Sequence, residues 1–159
     1  LASINLWFQK FEFNASLYYL IRWIGYQVVG YNIIQSAGPI LGVSVLLFVL
    51  LLAFFRKNRT LENLLISIMM TISFYFFAAT TVHPWYLATP LLLSIFTRFR
   101  FVQVWSLVVV LSYFTYSHPT FEENMWLIVL EYGVVFGVLG YEILNKNKTA
   151  SLQESVGRT

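Results

Sequence analysis

Thr80-Thr81-Val82-His83-Pro84-Trp85-Tyr86 is the stretch on which the reading of this chain turns. Pro84 lacks a backbone donor and disfavours helical geometry at His83, so a helix arriving from the N-terminal side stops here. Trp85 and Tyr86 carry large apolar rings with one polar tip, the side chains that gather at a membrane–water boundary. The seven residues therefore predict a break between two membrane helices, at the interface. Two roles are open to it: an aromatic belt with a turn, or a place where a membrane protein holds a polar ligand beside a titratable imidazole.

On either side of the break lie apolar segments, 61–80 and 85–97. The second would cover only about 20 Å and carries Pro90, so a kink or tilt is expected there. Further out, 39–55, 101–116 and 125–144 are also apolar. At 1.5 Å per residue, 39–55 covers about 26 Å, and its flanks can supply the rest of a ~30 Å hydrocarbon core. The expected fold is all-α: a polytopic transmembrane bundle of about five spans over residues 39–144. Residues 1–38 read as an external loop followed by an interfacial helix over about 15–29, with Asn14 as its N-cap. Leu17, Leu20, Ile21, Ile24 and Val28 recur at helical spacing, and Arg22 near the middle suits a helix lying on a membrane better than one crossing it. Residues 145–159 read as a disordered polar tail.

Composition agrees with this outline. Of 159 residues, 58% are hydrophobic, 19% aromatic and 11% charged, against about 25% charged in soluble domains. The net charge of +3 is no nucleic-acid footprint, because the basic residues sit in short clusters between apolar runs. The chain has no Cys, which excludes disulfides and thiolate chemistry. All seven acids are Glu. It begins at Leu1 with no charged leader, and it reads as the C-terminal part of a larger polytopic protein whose N-terminal spans are missing.

Charge also orients the spans. If they alternate, Arg56, Lys57, Arg59, Arg98, Arg100, Lys146, Lys148 and Arg158 share one side, while Lys10 and Arg22 fall on the other. Eight against two places the basic loops in the cytoplasm. The interfacial helix, the His83 break and the loop carrying His118, Glu122 and Glu123 are then external.

His83 and Arg22 are the candidate ligand contacts. A guanidinium offers phosphate a planar donor fork, although either residue can equally serve as a cap or a headgroup anchor. His118 with Glu122 and Glu123 lacks metal-ligand spacing, so no metal is expected. Glu131 lies inside the fifth span, where a carboxylate needs a partner or a task, such as a hydrogen bond from Ser or Tyr on a neighbouring helix. Gly133, Gly137 and Gly140 line one face of the same helix and would let another helix approach closely. No complete catalytic set is present, and no cofactor site is indicated.

Thr81-Val82-His83-Pro84-Trp85-Tyr86-Leu87 resembles a segment of bacterial integral-membrane mannosyltransferases of the GT-C glycosyltransferase superfamily. Phe11-Glu12-Phe13-Asn14-Ala15-Ser16-Leu17-Tyr18-Tyr19 resembles the external loop and helix that precede the last spans of those proteins, and together the likeness covers most of residues 5–144. It implies an enzyme of the bacterial inner membrane that transfers a sugar, often mannose, from a polyprenyl-phosphate donor on the non-cytoplasmic face. It also implies that His83, Trp85 and Tyr86 lie near the donor, with Arg22 as a phosphate partner. The catalytic acid of such enzymes lies in a first external loop that this chain does not contain. Two other classes stand beside this one: a transporter or flippase subunit for a lipid-linked substrate, and a structural membrane module.

Overall fold

The computed structural model describes residues 12–117 and 122–156, with side chains except at 34, 35 and 146–156. Lys10, His118 and Arg158 lie outside the described residues. Six α-helices occur among those residues. They are α1 (Leu17–Val29), α2 (Ile34–Phe55), α3 (Leu61–Ala78), α4 (Ala88–Ile95), α5 (Phe101–Val108) and α6 (Met125–Val156). Instead of a strand, a single parallel bridge joins Phe13 to Thr81 among the described residues.

Three helical stretches, Ser36–Phe55, Leu61–Ala78 and Met125–Asn145, are long and apolar enough to cross a membrane, which is the signature of a membrane protein. The other two expected spans are shorter apolar helices. Pro84–Ile95 begins as a 3-10 turn, Pro84–Leu87, and reaches only about 20 Å at ordinary rises. Pro90 lies in the first turn of α4, where helical N–H groups lack intrahelical partners anyway, so it needs no kink. From Val109 to Ser117 the chain that leaves α5 winds as a 3-10 helix. Its steeper rise of about 2.0 Å per residue stretches 101–117 to about 30 Å.

Local signals account for most helix ends. Thr60 caps α3 by accepting the Asn63 N–H. His83 is extended, with ψ 147°, as the residue before a proline should be. Gly30 ends α1 at φ +79°, a left-handed C-cap that glycine takes without strain. Two ends differ from the sequence pattern. α2 begins at Ile34 and carries Pro39 in its second turn, and α6 continues to Val156, through the stretch expected as a disordered tail.

Buried aromatics from three helices form the core. Trp105 stacks on Phe77 at 4.6 Å, and Tyr132 meets Trp105 edge-on at 5.8 Å. Phe136, itself partly exposed, borders this core 4.7 Å from Phe77. Helix α1 is packed inside out by the standards of a soluble protein. It buries Tyr18, Tyr19 and Gly25 and exposes Leu20, Ile24 and Val28, the face the periodicity identified as apolar. Gly25 is required for the α1–α2 corner, because a Cβ there would stand 2.7 Å from the Ile33 side chain.

Candidate functional site

The segment before α1 and the break after α3 lie against each other. The Phe13 N–H donates to the Thr80 carbonyl at 3.1 Å, and the Val82 N–H donates to the Phe13 carbonyl at 2.8 Å. This pairing sets the Phe13 ring on His83, with centroids 4.9 Å apart. On the other side Trp85 stacks on the imidazole at 4.3 Å, nearly parallel at 6°. Tyr86 meets the same ring edge-on at 5.3 Å. His83 is thus held between two aromatic faces and is 8% exposed. Burial pulls its pKa below the usual histidine range, favouring the neutral ring. Trp85, 59% exposed, is the accessible edge of the stack.

Asn14 follows Phe13 at φ +48°, in the left-handed region, which Asn tolerates better than most residues. It does not cap α1, as its position suggested; the helix starts at Leu17, and Ser16 at the N-cap makes no side-chain cap bond. The left-handed turn directs Asn14 toward α6 instead. Its Nδ2 donates to Glu131 Oε1 at 3.0 Å, its backbone N–H donates to Glu123 Oε1 at 2.6 Å, and its carbonyl accepts from the Tyr132 hydroxyl at 2.6 Å. Trp105 Nε1 donates to the same Glu131 oxygen at 3.0 Å. Both Asn14 and Glu131 are fully buried. The carboxylate expected to need a partner has an amide and an indole, rather than Ser or Tyr.

Beside this network opens a cleft of about 520 Å³, lined by Glu12, Phe13, Tyr19, Arg22, Glu123 and Tyr116 among others. Arg22 pairs with Glu12 and lies 4.4 Å over the Tyr19 ring. Glu12 also accepts from the Tyr18 hydroxyl at 2.6 Å and from Asn32 Nδ2 at 3.0 Å. The Tyr19 hydroxyl donates to Glu123. Burial pushes the Glu123 carboxyl above its usual range, against the opposing pull of its Tyr19 and Asn14 bonds. Burial, then the charge and hydrogen bond of Glu123, raise the Tyr19 phenol.

No family model, curated protein or solved structure matches the chain.

Of the four residues singled out from the sequence, His83, Trp85 and Tyr86 form one aromatic cluster, with Tyr86 edge-on to the stacked pair. Arg22 lines the cleft on the far side of Phe13. A second cleft of about 500 Å³ is lined by Thr80, Thr81, Tyr86 and Tyr75 together with Gly38 and Gly42 of α2. Phe13 therefore divides the candidate site, lining the Arg22 cleft and covering the imidazole beside the Tyr86 cleft. Among the described residues no three His, Asp or Glu side chains are grouped so as to hold a metal ion. Asn14 and Phe13 were missed as site residues, since nothing in Glu12-Phe13-Asn14 as a string shows that it meets a segment nearly 70 positions away. Gly133, Gly137 and Gly140 have open space where a Cβ would stand, so no described part of this chain packs on that face.

Proposed function

We propose that this chain is the C-terminal membrane part of a GT-C-type glycosyltransferase, which moves a sugar, with mannose the leading choice, from a polyprenyl-phosphate donor to an acceptor on the non-cytoplasmic face. One observation carries the reading. The two segments that resemble such enzymes, far apart in sequence, are backbone-paired at Phe13 and Thr81, and both supply rings to the His83 stack. The sidedness rests on the basic loops at 56–59 and 98–100 and on the positive-inside rule.

In this reading Trp85 and Tyr86 offer apolar faces to a sugar ring or to the first prenyl units, and the neutral His83 offers a hydrogen bond rather than a charge. The lipid tail stays in the bilayer while its phosphate meets donors at the interface. Arg22 can serve the phosphate only by exchanging Glu12 for it, which makes it the secondary contact. The general base is assigned to no residue of this chain.

The test is sugar transfer from a polyprenyl-phosphate donor by membranes carrying the protein expressed from its whole coding sequence. His83→Ala is expected to lower transfer at least about tenfold, and Arg22→Ala less, with membrane insertion intact for both. Unchanged transfer in both variants overturns the site assignment. A structural module is the second reading, favoured by the open glycine face of α6. It predicts that Gly137→Leu alone is harmful, through lost association with another helix.

A further inference from the structure

Glu131 has no task in the proposed transfer, yet it is the one fully buried acid among the described residues. Its hydrogen bonds are unevenly shared between its two oxygens. Asn14 Nδ2 and Trp105 Nε1 both donate to Oε1, each at 3.0 Å. Oε2 is buried and receives no donor among the described residues. Asn14 Oδ1, the other polar atom of the amide that already holds Oε1, is buried and without a partner in the same way.

An ionised carboxylate spreads its charge over both oxygens, and here one of them would be left bare in a dry interior. No ion pair compensates for it, since the one ion pair among the described residues joins Arg22 to Glu12. A carboxylic acid fits the observed pattern. Its carbonyl oxygen carries two lone pairs and can accept twice, while its hydroxyl oxygen donates and needs an acceptor. A single hydrogen on Oε2, donated to Asn14 Oδ1, answers both unpartnered atoms. Acid and primary amide are then joined by two hydrogen bonds in place of one.

The surroundings supply no cation in its stead. Glu123 accepts the Asn14 backbone N–H, and a second negative charge beside it would repel the first. Tyr132, next along α6, and Tyr19, bonded to Glu123, are the titratable groups adjoining this network. Arg22, paired with Glu12, and Tyr116 stand beyond them at the cleft. Helices α3 and α5 bring Phe77 and Trp105, which do not titrate. Asn14 also anchors its neighbour in the chain. Phe13 covers His83 and is backbone-paired to Thr80 and Val82.

We propose that Glu131 carries a proton on Oε2 at neutral pH, donated to Asn14 Oδ1, and that this acid–amide pair latches the Phe13 segment over His83. Loss of the proton to solvent leaves two acceptors where a bond had been. The latch is therefore complete while Glu131 is protonated and is released as pH rises through its ionisation. This pairing is independent of the transferase reading.

The experiment is infrared difference spectroscopy of the full chain in a neutral detergent at neutral pH, parent minus Glu131→Gln. The difference is expected to show the carbonyl band of a protonated carboxyl group, shifted by deuterium exchange; a carboxylate band in its place overturns the proposal. Asn14→Asp/Glu131→Gln exchanges acid and amide within the pair. It should recover a protonated band, which an exposed aspartate does not give at that pH, and a carboxylate band there would overturn the pairing. Amide hydrogen exchange reads the latch. At an alkaline pH where the acid band has gone, protection of the Phe13 and Val82 N–H groups should be at least about tenfold lower in the parent than in Glu131→Gln. Equal protection would overturn the latch. If Glu131→Gln does not fold, the acid band is sought at neutral pH in Glu123→Gln, which removes the half-buried carboxyl beside it; the band supports the proposal and its absence overturns it.

Discussion

In the most apolar stretch of α2, 6% of the residues are buried inside the molecule, against 22% in that of α6. The two helices are held by different means. Helix α2 turns Ile40, Val43, Leu46, Leu47 and Phe54 outward and packs mainly on α3, so an apolar surrounding is what keeps it in place. Helix α6 places Glu131 and Tyr132 in the interior and ties them to Asn14 and Trp105. Its position is set by hydrogen-bond directions as well as by solvation. In a medium that resembles Leu side chains, apolar contact discriminates weakly between helix arrangements, while polar groups that must find partners discriminate strongly.

Five substitutions test that contrast, beginning with the largest expected effect. Glu131→Ala leaves the Asn14 amide and the Trp105 indole without their acceptor. At about 1–3 kcal/mol for each orphaned buried donor, the loss should be about 2–6 kcal/mol, read by unfolding in mild detergent. Glu131→Gln keeps an acceptor for both donors and adds an N–H group that can reach Asn14 Oδ1, a buried atom without a partner among the described residues. It should stay within about 1 kcal/mol of the parent. Equal damage from Gln and Ala would show that the carboxyl group itself, and not the acceptor, holds α6.

Tyr132→Phe removes the bond to the Asn14 carbonyl and should cost about 1–2 kcal/mol under the same conditions. Glu123 sharpens the contrast through pH. A carboxyl whose folded-state pKa is raised binds its proton more tightly when folded. Its contribution to stability is complete below the ordinary value of 4.5 and is lost as pH rises through the raised one. Stability should therefore decline upward from about pH 4.5, and Glu123→Gln should flatten that part of the profile. An unaltered slope would assign it to another group. On α2, Leu47→Ala is expected to change stability by no more than about 0.5 kcal/mol. A loss as large as that of Tyr132→Phe would break the contrast, because it would mean that α2 is positioned by packing after all.

Some of the candidate site could be read in the string and some could not. His83-Pro84-Trp85-Tyr86 is contiguous, so its proline, its aromatics and the extended residue before the proline are local facts, and the closeness of the three rings was within reach of the string. Arg22 was legible as a cation on an interfacial helix, but its pairing with Glu12 was not, since a guanidinium at a membrane surface has many possible partners. Asn14 was misread for a definite reason. An Asn just before a helix is usually a cap, and only its left-handed turn directs it away from α1.

By itself, the sequence determined the class of the protein. Apolar length and helical spacing mark α2, α3 and α6 as membrane helices, the paucity of charge excludes a soluble domain, and Pro84 sets a break. These are statements about how each segment prefers to be solvated and which backbone angles it can adopt, and they depend on near neighbours. Only the tertiary structure decided that Phe13 pairs with Thr81, that Glu131 is answered by Asn14 and Trp105, and that Arg22 is paired with Glu12. Such pairings follow from which polar groups meet once the helices have packed, and many partners are chemically equivalent until distance and direction choose among them.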